Sequence, residues 1–507
     1  MKMYFGLGSL LCLAAVPAIL AGEGLPTAQT SVDFGKKLQA WDGFGVHYVE
    51  THHSRDYKLF PENYGGFNHI NAEQREQVIR LVFGPDGLKP GLVKAWAGPF
   101  QEPVNDNDDP YTINPAGFDH QTTTKWIRYF GKRGLEETRK RGDDLTFIAG
   151  IHAPPGWVTR QKINQGRDLD PAMKLEVAEY IGSWAKYLRD VEGLPVKYIS
   201  PMNEAEDKFR WPEDGGDPVS YYKSEHNLWW PDHQVVDFLR YAREVLDRLG
   251  LKEVGLTNGE PNSWGAFFDF KAKDGTGFEY ARRIREDPVA LKNLALITSH
   301  GFKQSYDPRG ADLLREVRPE LHAWTTSYTW GDMSLDFLED TRNLIYKVRC
   351  NGMIPWATVH NDYESDKLTP PATVRVSSNP NSPIKTNNNQ VQITKPYYHY
   401  KQVTRAGQPK MAVAEVASDD PQIGLIAFAS NGTKNPDAFT VINLAKSPKA
   451  VKVRVAGTKS KSFAANVTTD VEYGDRNYEP FKTFVYRNGA LEYTAPARSS
   501  VTFTAAR

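Results

Sequence analysis

The sequence comprises 507 residues, in which 62 lysines and arginines are balanced by 62 aspartates and glutamates. This neutral balance provides no basic surface for nucleic acid and no polycationic face for a membrane. A chain of this length is expected to form two or more domains with a large apolar core.

The N-terminus has the pattern of a secretory signal peptide. Lys2 precedes an apolar segment that ends in small residues, and cleavage is predicted after Ala21. A membrane anchor is the alternative, but Pro17 and the glycines interrupt the apolar run that a membrane span requires. We therefore expect residues 1–21 to be removed and the protein to be secreted or periplasmic, with no membrane anchor after cleavage. Cys350 would then be the sole cysteine, which excludes an internal disulfide.

Short apolar segments alternate with amphipathic segments from residue 41 to about residue 365. After a first strand that turns at Gly43 and Gly45, strands are predicted at 92–97, 145–151, 196–200, 253–258, 294–300, 320–327 and 353–359. Helices are predicted between them at 72–84, 124–142, 171–193 and 232–250. About eight such repeats predict a closed (β/α)₈ TIM barrel. An open doubly wound sheet is the alternative, but no G-x-G-x-x-G loop follows the first strand.

The composition changes near residue 370. The segment TPPATVRVSSNPNSPIKTNNNQ is rich in Pro, Asn and Ser, as is typical of a loop at a domain boundary. Short alternating runs such as QIGLIAFAS, AFTVINLA and KAVKVRVAG follow it, separated by Gly, Asn and Pro. This pattern predicts a C-terminal antiparallel β-sandwich. We therefore assign residues 41–385 to the barrel and residues 386–507 to the β-sandwich domain.

Polar and aromatic side chains recur where the predicted barrel strands end, and active sites of such barrels lie at the carboxyl ends of the strands. Aromatic faces beside hydrogen-bonding groups suit a sugar, which has apolar C–H faces and a belt of hydroxyls. The candidates for catalysis and substrate binding at these ends are Asp42, His47, Lys94, Trp96, His152, Trp157, Asn203, Glu204, Glu260, His300, Trp324, Ser327, Tyr328, Trp330 and Trp356. Further residues at these ends or in the segment after Glu204 are Trp211, Trp229, Trp230, Asn258, Trp264 and His360.

Several of these motifs occur in the order in which glycoside hydrolase family 30 carries similar ones. They are WDGFG, IHAPPGW, PMNEAE, SHGF, HAWTTSY and IPWATV, and the resemblance spans about residues 30–410. It implies a retaining-glycosidase barrel in which Glu204 is the general acid/base and Asn203 binds the substrate's 2-hydroxyl. It also implies that an N-terminal strand within residues 22–40 joins the β-sandwich. The role of Glu204 is physically sound, because burial among aromatic residues keeps a carboxyl protonated for transfer to the leaving oxygen.

The sequence departs from the family 30 pattern at two positions. The family carries its nucleophilic glutamate on the seventh strand, where this sequence has Ser327, and Lys94 stands where the family has arginine. Glu260, Asp332 and Asp362 are the candidates for the second carboxylate. The alternatives are a substrate that supplies its own nucleophile, or a catalytically inactive protein that binds carbohydrate.

A metal-dependent hydrolase is a further alternative, since His47 lies upstream of the THHSRD segment that contains His52 and His53. Adjacent strand residues point to opposite faces, and no H-E-x-x-H motif is present. A serine mechanism with Ser327 and His300 lacks the G-x-S-x-G turn. We therefore expect a monomer that acts on carbohydrate, with no metal, no cofactor and no nucleic-acid partner.

Overall fold

The computed structural model describes residues 27–50, 64–206, 208–210, 228–302, 305–328, 333–361, 382–387, 390–486 and 489–506. The predicted signal peptide, residues 1–21, lies outside these ranges. Within them, no helix combines the length and the apolar character that crossing a lipid bilayer requires.

Strands and helices alternate through the first two thirds of the chain, and strands dominate the rest. The strands are β1 (Ala28–Ala40), β2 (Gly43–His47), β3 (Leu92–Ala97), β4 (Thr146–Ile151), β5 (Val196–Ser200), β6 (Gly255–Thr257), β7 (Phe270–Lys271), β8 (Gly277–Phe278), β9 (Leu294–Ser299), β10 (Ala323–Thr325), β11 (Gly352–Met353), β12 (Val359–Asn361), β13 (Ile384–Asn387), β14 (Gln390–Ile393), β15 (Ala412–Ser418), β16 (Ile423–Ala429), β17 (Ala438–Asn443), β18 (Lys449–Ala456), β19 (Ser462–Thr469), β20 (Asn477–Val485), β21 (Ala490–Ala495) and β22 (Ser499–Ala505). The helices are α1 (Ala72–Phe83), α2 (His120–Thr123), α3 (Lys125–Lys140), α4 (Lys174–Asp190), α5 (Asp232–Arg248), α6 (Trp264–Phe268), α7 (Tyr280–Glu286), α8 (Pro288–Asn293), α9 (Arg309–Arg315), α10 (Leu335–Asn343) and α11 (Lys395–Ala406).

Eight parallel strands close into a barrel in the order β2, β3, β4, β5, β6, β9, β10 and β11, and β11 pairs with β2 to complete the ring. The predicted (β/α)₈ barrel is confirmed. The last two barrel strands, β10 and β11, are shorter than predicted, and they pair with each other over only two residues. At Gly352 a Cβ atom would lie 2.9 Å from the indole of Trp324, so glycine permits this close approach of the strands.

The amino-terminal part of the barrel interior is filled by apolar side chains from β3, β4, β5, β9 and β10, including Tyr198 and Trp324, whose rings meet edge to face at 5.1 Å. The indole N–H of Trp324 donates to Asp42 Oδ2 at 2.6 Å, and His322 Nδ1 lies 2.7 Å from the same oxygen. Asp42 directly precedes β2 and therefore lies at the amino end of the barrel. Asp42 and Trp324 are predicted as substrate contacts at the carboxyl end, but β2 begins after Asp42 instead of ending there, and the Trp324 indole turns towards Asp42 at the amino end.

Nine of the remaining strands form one sheet in the order β20, β19, β22, β17, β16, β15, β1, β18 and β21, while β12, β13 and β14 form a small sheet and β7 pairs with β8. In the nine-stranded sheet, all neighbouring pairs are antiparallel except β1 with β18, which run parallel. Phe34 of β1 packs on Phe463 of β19 at 6.5 Å, and Phe484 and Tyr493 of the two edge strands meet at 5.5 Å. The sheet therefore folds over on itself to enclose its own core, as in a sandwich.

The β domain packs against the amino end of the barrel. Trp41 and Phe44, which flank the start of β2, contact Phe428 of β16 at 5.1 and 5.9 Å between ring centroids. Helix α11 connects the two parts, and its His399 lies between Ser500 Oγ at 2.9 Å and Asp470 Oδ1 at 3.0 Å. The β domain thus braces the barrel end at which Asp42 lies and leaves the opposite end open to loops.

Asp42→Ala is expected to lower the free energy of unfolding by about 1–3 kcal/mol, because the Trp324 indole and the His322 imidazole would lose their shared acceptor. Asp42→Asn keeps an oxygen for the indole and should lower it by less. Urea unfolding of the three proteins at neutral pH measures both differences. Equal stability of all three would contradict the placement of Asp42 as a structural acceptor.

Candidate active site

Two glutamates are brought together where β5 and β6 end. Asn203 forms a parallel bridge with Glu260, the Glu204 N–H donates to the Glu260 carbonyl at 2.8 Å, and the Glu260 N–H donates to the Met202 carbonyl at 3.1 Å. These backbone hydrogen bonds extend the pairing of the two strands past their ends. Asn203, Glu204 and Glu260 therefore lie side by side at the carboxyl end of the barrel, as the sequence predicted for active-site residues of such a barrel.

The backbone at Glu204 has a conformation that non-glycine residues seldom adopt. Its φ angle is 45°, in the left-handed region, and Gly259 on the neighbouring strand end has a φ of 80°. A left-handed non-glycine residue costs of order 1 kcal/mol or more and persists only where the surroundings enforce it. Here the hydrogen bond from the Glu204 N–H to Glu260 enforces it, which fixes the direction of the Glu204 side chain.

His300, which follows β9, connects the two carboxylates. Its Nδ1 lies 3.0 Å from Glu204 Oε1, and its Nε2 lies 3.0 Å from Glu260 Oε2. Burial alone would lower the pKa of His300, but the hydrogen bonds to Glu204 and Glu260 outweigh burial and raise the pKa above 6.5. An imidazolium that donates from both nitrogens satisfies both carboxylates.

Lys94, on β3, pairs with the same oxygen of Glu260 that His300 contacts. Its Nζ also donates to the Thr326 carbonyl at 2.9 Å and lies 3.7 Å from the ring centroid of Trp96. Burial by itself would raise the pKa of Glu260, but the charge of Lys94 and the hydrogen bond from His300 lower it to about 2. Glu260 is therefore ionised at neutral pH although it is fully buried.

These contacts form one chain of charged groups, Glu204–His300–Glu260–Lys94. Within the described residues, the second oxygen of Glu260, Oε1, has no hydrogen-bond partner although it is buried. An ionised carboxylate with one oxygen held and one unpartnered has the chemistry of a nucleophile, a base or a stabiliser of nearby positive charge.

An aromatic wall lies beside this chain. Trp96 contacts His152 at 4.8 Å, Trp356 at 5.2 Å and His47 at 4.7 Å between ring centroids. Trp356 also donates its indole N–H to the hydroxyl of Tyr64. The prediction that these four residues from separate strand ends converge agrees with the geometry. Tyr64 was missed, because it lies in a segment without strand or helix periodicity ahead of α1.

Two predicted substrate contacts belong to the core instead. Trp230 is fully buried and packs edge to face on Phe238 of α5 at 5.2 Å, and the ring of Tyr328 stacks on Phe337 of α10 at 4.3 Å. Burial against helices leaves neither ring a face for a sugar. The structure thus places both rings against helices and not in the predicted cleft, because an aromatic residue near a strand end can point outward to the helices as readily as inward.

Other predicted residues make contacts near the cleft. Trp157 is half-buried and donates its indole N–H to the Glu102 carbonyl at 2.9 Å, and half-buried Trp229 has Lys208 Nζ at 5.7 Å from its ring. Asn258 pairs with the backbone of Thr298 in β9. The positions that lie outside the described residues are His52, His53, Trp211, Trp330, Asp332 and Asp362.

Ser327 lies two residues beyond the end of β10 and is fully buried. Its carbonyl accepts the Gly301 N–H at 3.0 Å, and its Oγ has no hydrogen-bond partner within the described part of the chain. The preceding residue, Thr326, supplies the carbonyl that Lys94 contacts. The serine therefore lies next to the Lys94 contact without a hydrogen bond to a base.

The chain has the fold of several solved glycoside hydrolases. No protein-family model and no curated protein matches the sequence. Structures of the same fold include a family 30 endoxylanase from Clostridium papyrosolvens, the catalytic domain of family 30 xylanase C from Talaromyces cellulolyticus and an endo-β1,6-glucanase. Their identities to this chain are 15%, 15% and 16%, and their TM-scores are 0.62, 0.66 and 0.63. The alignments cover 94%, 94% and 96% of this chain and 100%, 100% and 96% of those chains. The resemblance to family 30 is confirmed at the level of the fold.

Lys94→Met is expected to lower the free energy of unfolding by about 3–5 kcal/mol at pH 7, because it leaves Glu260 buried and ionised without its ammonium partner. The double variant Lys94→Met/Glu260→Gln removes both charges and should recover much of the loss. Chemical denaturation of the two variants and the wild type tests this. A double variant no more stable than Lys94→Met would contradict the pairing.

The pH dependence of this stabilisation has a defined sign. The pKa of Glu260 is lowered from 4.5 to about 2 on folding, so its contribution is present above about pH 4.5 and is lost as the pH falls towards 2. The stability of the wild type relative to Glu260→Gln should fall over that interval. The raised pKa of His300 acts in the opposite sense, since its contribution is complete below pH 6.5 and is lost as the pH rises through the folded value.

Proposed function

We propose that this protein is a secreted glycoside hydrolase that cleaves a β-linked polysaccharide or oligosaccharide. Glu204 is the general acid/base and Glu260 is the second carboxylate. The observation that carries the proposal is the Glu204–His300–Glu260–Lys94 chain at the carboxyl end of the barrel. The aromatic wall of Trp96 and Trp356 and the fold shared with xylanases and an endo-β1,6-glucanase support a sugar as the ligand.

Glu204 must deliver a proton when the glycosidic oxygen leaves. His300 Nδ1 is 3.0 Å from Glu204 Oε1, so the imidazolium supplies that proton to the carboxylate. The neutral imidazole that remains still donates from Nε2 to Glu260. This transfer moves a proton from His300 to Glu204 and leaves the summed charge of the four groups unchanged. The proton therefore remains available for the leaving oxygen although the site is buried.

Glu260 acts on the sugar carbon as positive charge develops there. Its low pKa keeps it ionised, and an ionised carboxylate stabilises an oxocarbenium-like transition state. A carboxylate close to the anomeric carbon forms a glycosyl-enzyme and retains the anomeric configuration, whereas one set farther back activates water and inverts it. The anomer of the first product therefore distinguishes the two roles of Glu260.

A catalytically inactive carbohydrate-binding protein is the second candidate. Ser327 favours it, because a hydroxyl stands where the family 30 pattern has a nucleophilic carboxylate. The complete burial of Glu260 also favours a catalytically inactive protein. This candidate requires sugar binding without release of any product. A metal-dependent hydrolase has less support, because the His47 ring packs against the rings of Trp96 and Trp356.

Glu204→Gln is expected to lower the hydrolysis rate by about 10²–10⁴-fold or more while preserving sugar binding, because the change removes the transferable proton and keeps the side-chain shape. Reducing-end release from β-linked xylans and glucans measures the rate, and affinity electrophoresis on the same polysaccharides measures binding. Asp42→Asn, at the opposite end of the barrel, is the matched control and should retain activity.

Equal hydrolysis by wild type and Glu204→Gln would exclude Glu204 as the acid. Binding of glycans by the wild type with no product from any of them would establish the inactive binder instead. If hydrolysis is observed, NMR of the first product assigns its anomer and hence the role of Glu260.

Ser327→Ala is expected to keep the hydrolysis rate within about twofold of wild type, because the Ser327 hydroxyl makes no hydrogen bond to a base. Glu260→Gln should instead remove activity, since it removes the ionised carboxylate. Parallel kcat and KM measurements on the best substrate compare the two variants. Loss of activity in Ser327→Ala with activity retained in Glu260→Gln would assign the nucleophile to Ser327.

A further inference from the structure

A second group of carboxylates lies outside the proposed catalytic chain. Glu102 and Asp106 belong to the loop that follows β3, and Glu179 projects from α4. One oxygen from each of the three carboxylates lies within 4.8 Å of the other two. Glu102 and Glu179 are fully buried, and Asp106 is partly buried. Three acidic side chains are therefore held close together inside the protein.

Within the part of the chain that the structure describes, this cluster has no cationic partner. Among the described residues, no lysine, arginine or histidine forms an ion pair with Glu102, Asp106 or Glu179. Both oxygens of Glu179 are buried without a hydrogen-bond partner in the same part of the chain, as are Glu102 Oε2 and Asp106 Oδ1. Folded proteins rarely bury a carboxylate that nothing neutralises. The fully buried, unpartnered Glu179 side chain thus points to a missing positive ligand.

The electrostatics agree with this geometry. Burial, reinforced by the charges of Glu102, Asp106 and Glu176, raises the pKa of Glu179 to about 10. Burial likewise raises the pKa of Glu102 to about 8, with Asp106 and Glu176 adding to the effect. All of these charged neighbours are acidic. A bound cation would offset this repulsion between the acidic groups.

We propose that Glu102, Asp106 and Glu179 bind a divalent cation, and that the cation is Ca²⁺. All three ligands are hard oxygen donors, which favour hard cations over soft metals. Ca²⁺ takes six to eight oxygens in a flexible geometry. The three carboxylates offer four oxygens without a hydrogen-bond partner in the described residues, while Glu102 Oε1 and Asp106 Oδ2 each accept a backbone N–H. Asn105 Oδ1, next to Asp106 in the chain, is a further buried oxygen without a hydrogen-bond partner in the described residues. Mg²⁺ demands a stricter octahedron and keeps several waters, so it fits a buried carboxylate cage less well.

The cation would attach the loop after β3 to helix α4 beside Trp157. The Trp157 indole donates to the Glu102 carbonyl at 2.9 Å and contacts the ring of Tyr180 at 6.1 Å. Tyr180 follows Glu179 and donates its hydroxyl proton to the Gly98 carbonyl at 2.6 Å. The site is therefore structural. It holds a loop and a tryptophan at the carboxyl face, and it does not depend on whether Glu204 is catalytic.

The test is thermal unfolding of the full chain after treatment with chelator, with CaCl₂ or MgCl₂ added back. Saturating Ca²⁺ is expected to raise Tm by about 5 °C or more, and Mg²⁺ by less. Glu179→Gln should abolish the Ca²⁺-dependent rise. Asp108→Asn is the matched control, because it makes the same charge change at an exposed position of the same loop, and it should keep the rise.

Isothermal titration with CaCl₂ provides a second measurement, with one ion expected per wild-type chain and none for Glu179→Gln. In chelator, Glu179→Gln should be about as stable as wild type, because burial keeps the Glu179 carboxyl uncharged when no cation is bound and glutamine preserves its shape. Asp106→Asn replaces it if Glu179→Gln does not fold. Absence of Ca²⁺ binding by wild type would overturn the proposal, and so would an unchanged rise in Tm in the folded Glu179→Gln or Asp106→Asn variant.

Discussion

The buried charge of Glu260 is the constraint on which the rest of the site depends. An ionised carboxylate that is removed from water must be neutralised in place, or it takes up a proton or destabilises the fold. Lys94 from β3 and His300 from the end of β9 converge on the same oxygen of Glu260. His300 follows β9, the ring neighbour of β6, but Lys94 comes from β3, which is not a neighbour of β6. The closed barrel therefore brings Lys94 within contact distance of Glu260. The fold therefore makes the buried charge stable, and the charge pairs fix the carboxyl end of the barrel.

The same constraint extends to Glu204. Because the His300 ring contacts both carboxylates, a change in the protonation of one alters the hydrogen bond available to the other. The three groups therefore titrate together, and an apparent pKa measured by kinetics belongs to the set and not to a single residue. The strained backbone at Glu204 keeps its carboxyl in contact with the imidazole, which makes this coupling a property of the native geometry.

The sequence predicted which polar residues lie at strand ends better than it predicted the contacts that these residues make. Glu260 and His300 were placed correctly, because strand ends of a parallel barrel share one edge. Asp42 was misplaced, since β2 begins at the next residue, Gly43, and the sequence does not show whether a strand starts or ends at such a position. Trp230 was misplaced because residue type alone does not reveal which side of the barrel wall a ring faces. The carboxylates at Glu102 and Glu179 were missed, because only the packing of α4 on a distant loop brings them together.

The two departures from the family 30 pattern are linked through charge. Lys94 donates to the carbonyl of Thr326, so it lies beside Ser327, the position at which the sequence resemblance predicts the family's glutamate. With no carboxylate at that position, a buried ammonium there needs another counterion, and Glu260 provides it from the end of β6. A compact ammonium suits this arrangement, since it bonds one carboxylate oxygen and one carbonyl while resting on the face of Trp96. A glutamate at position 327 would add a third negative charge to a set that is now balanced, so its absence is consistent with Glu260 as the working carboxylate.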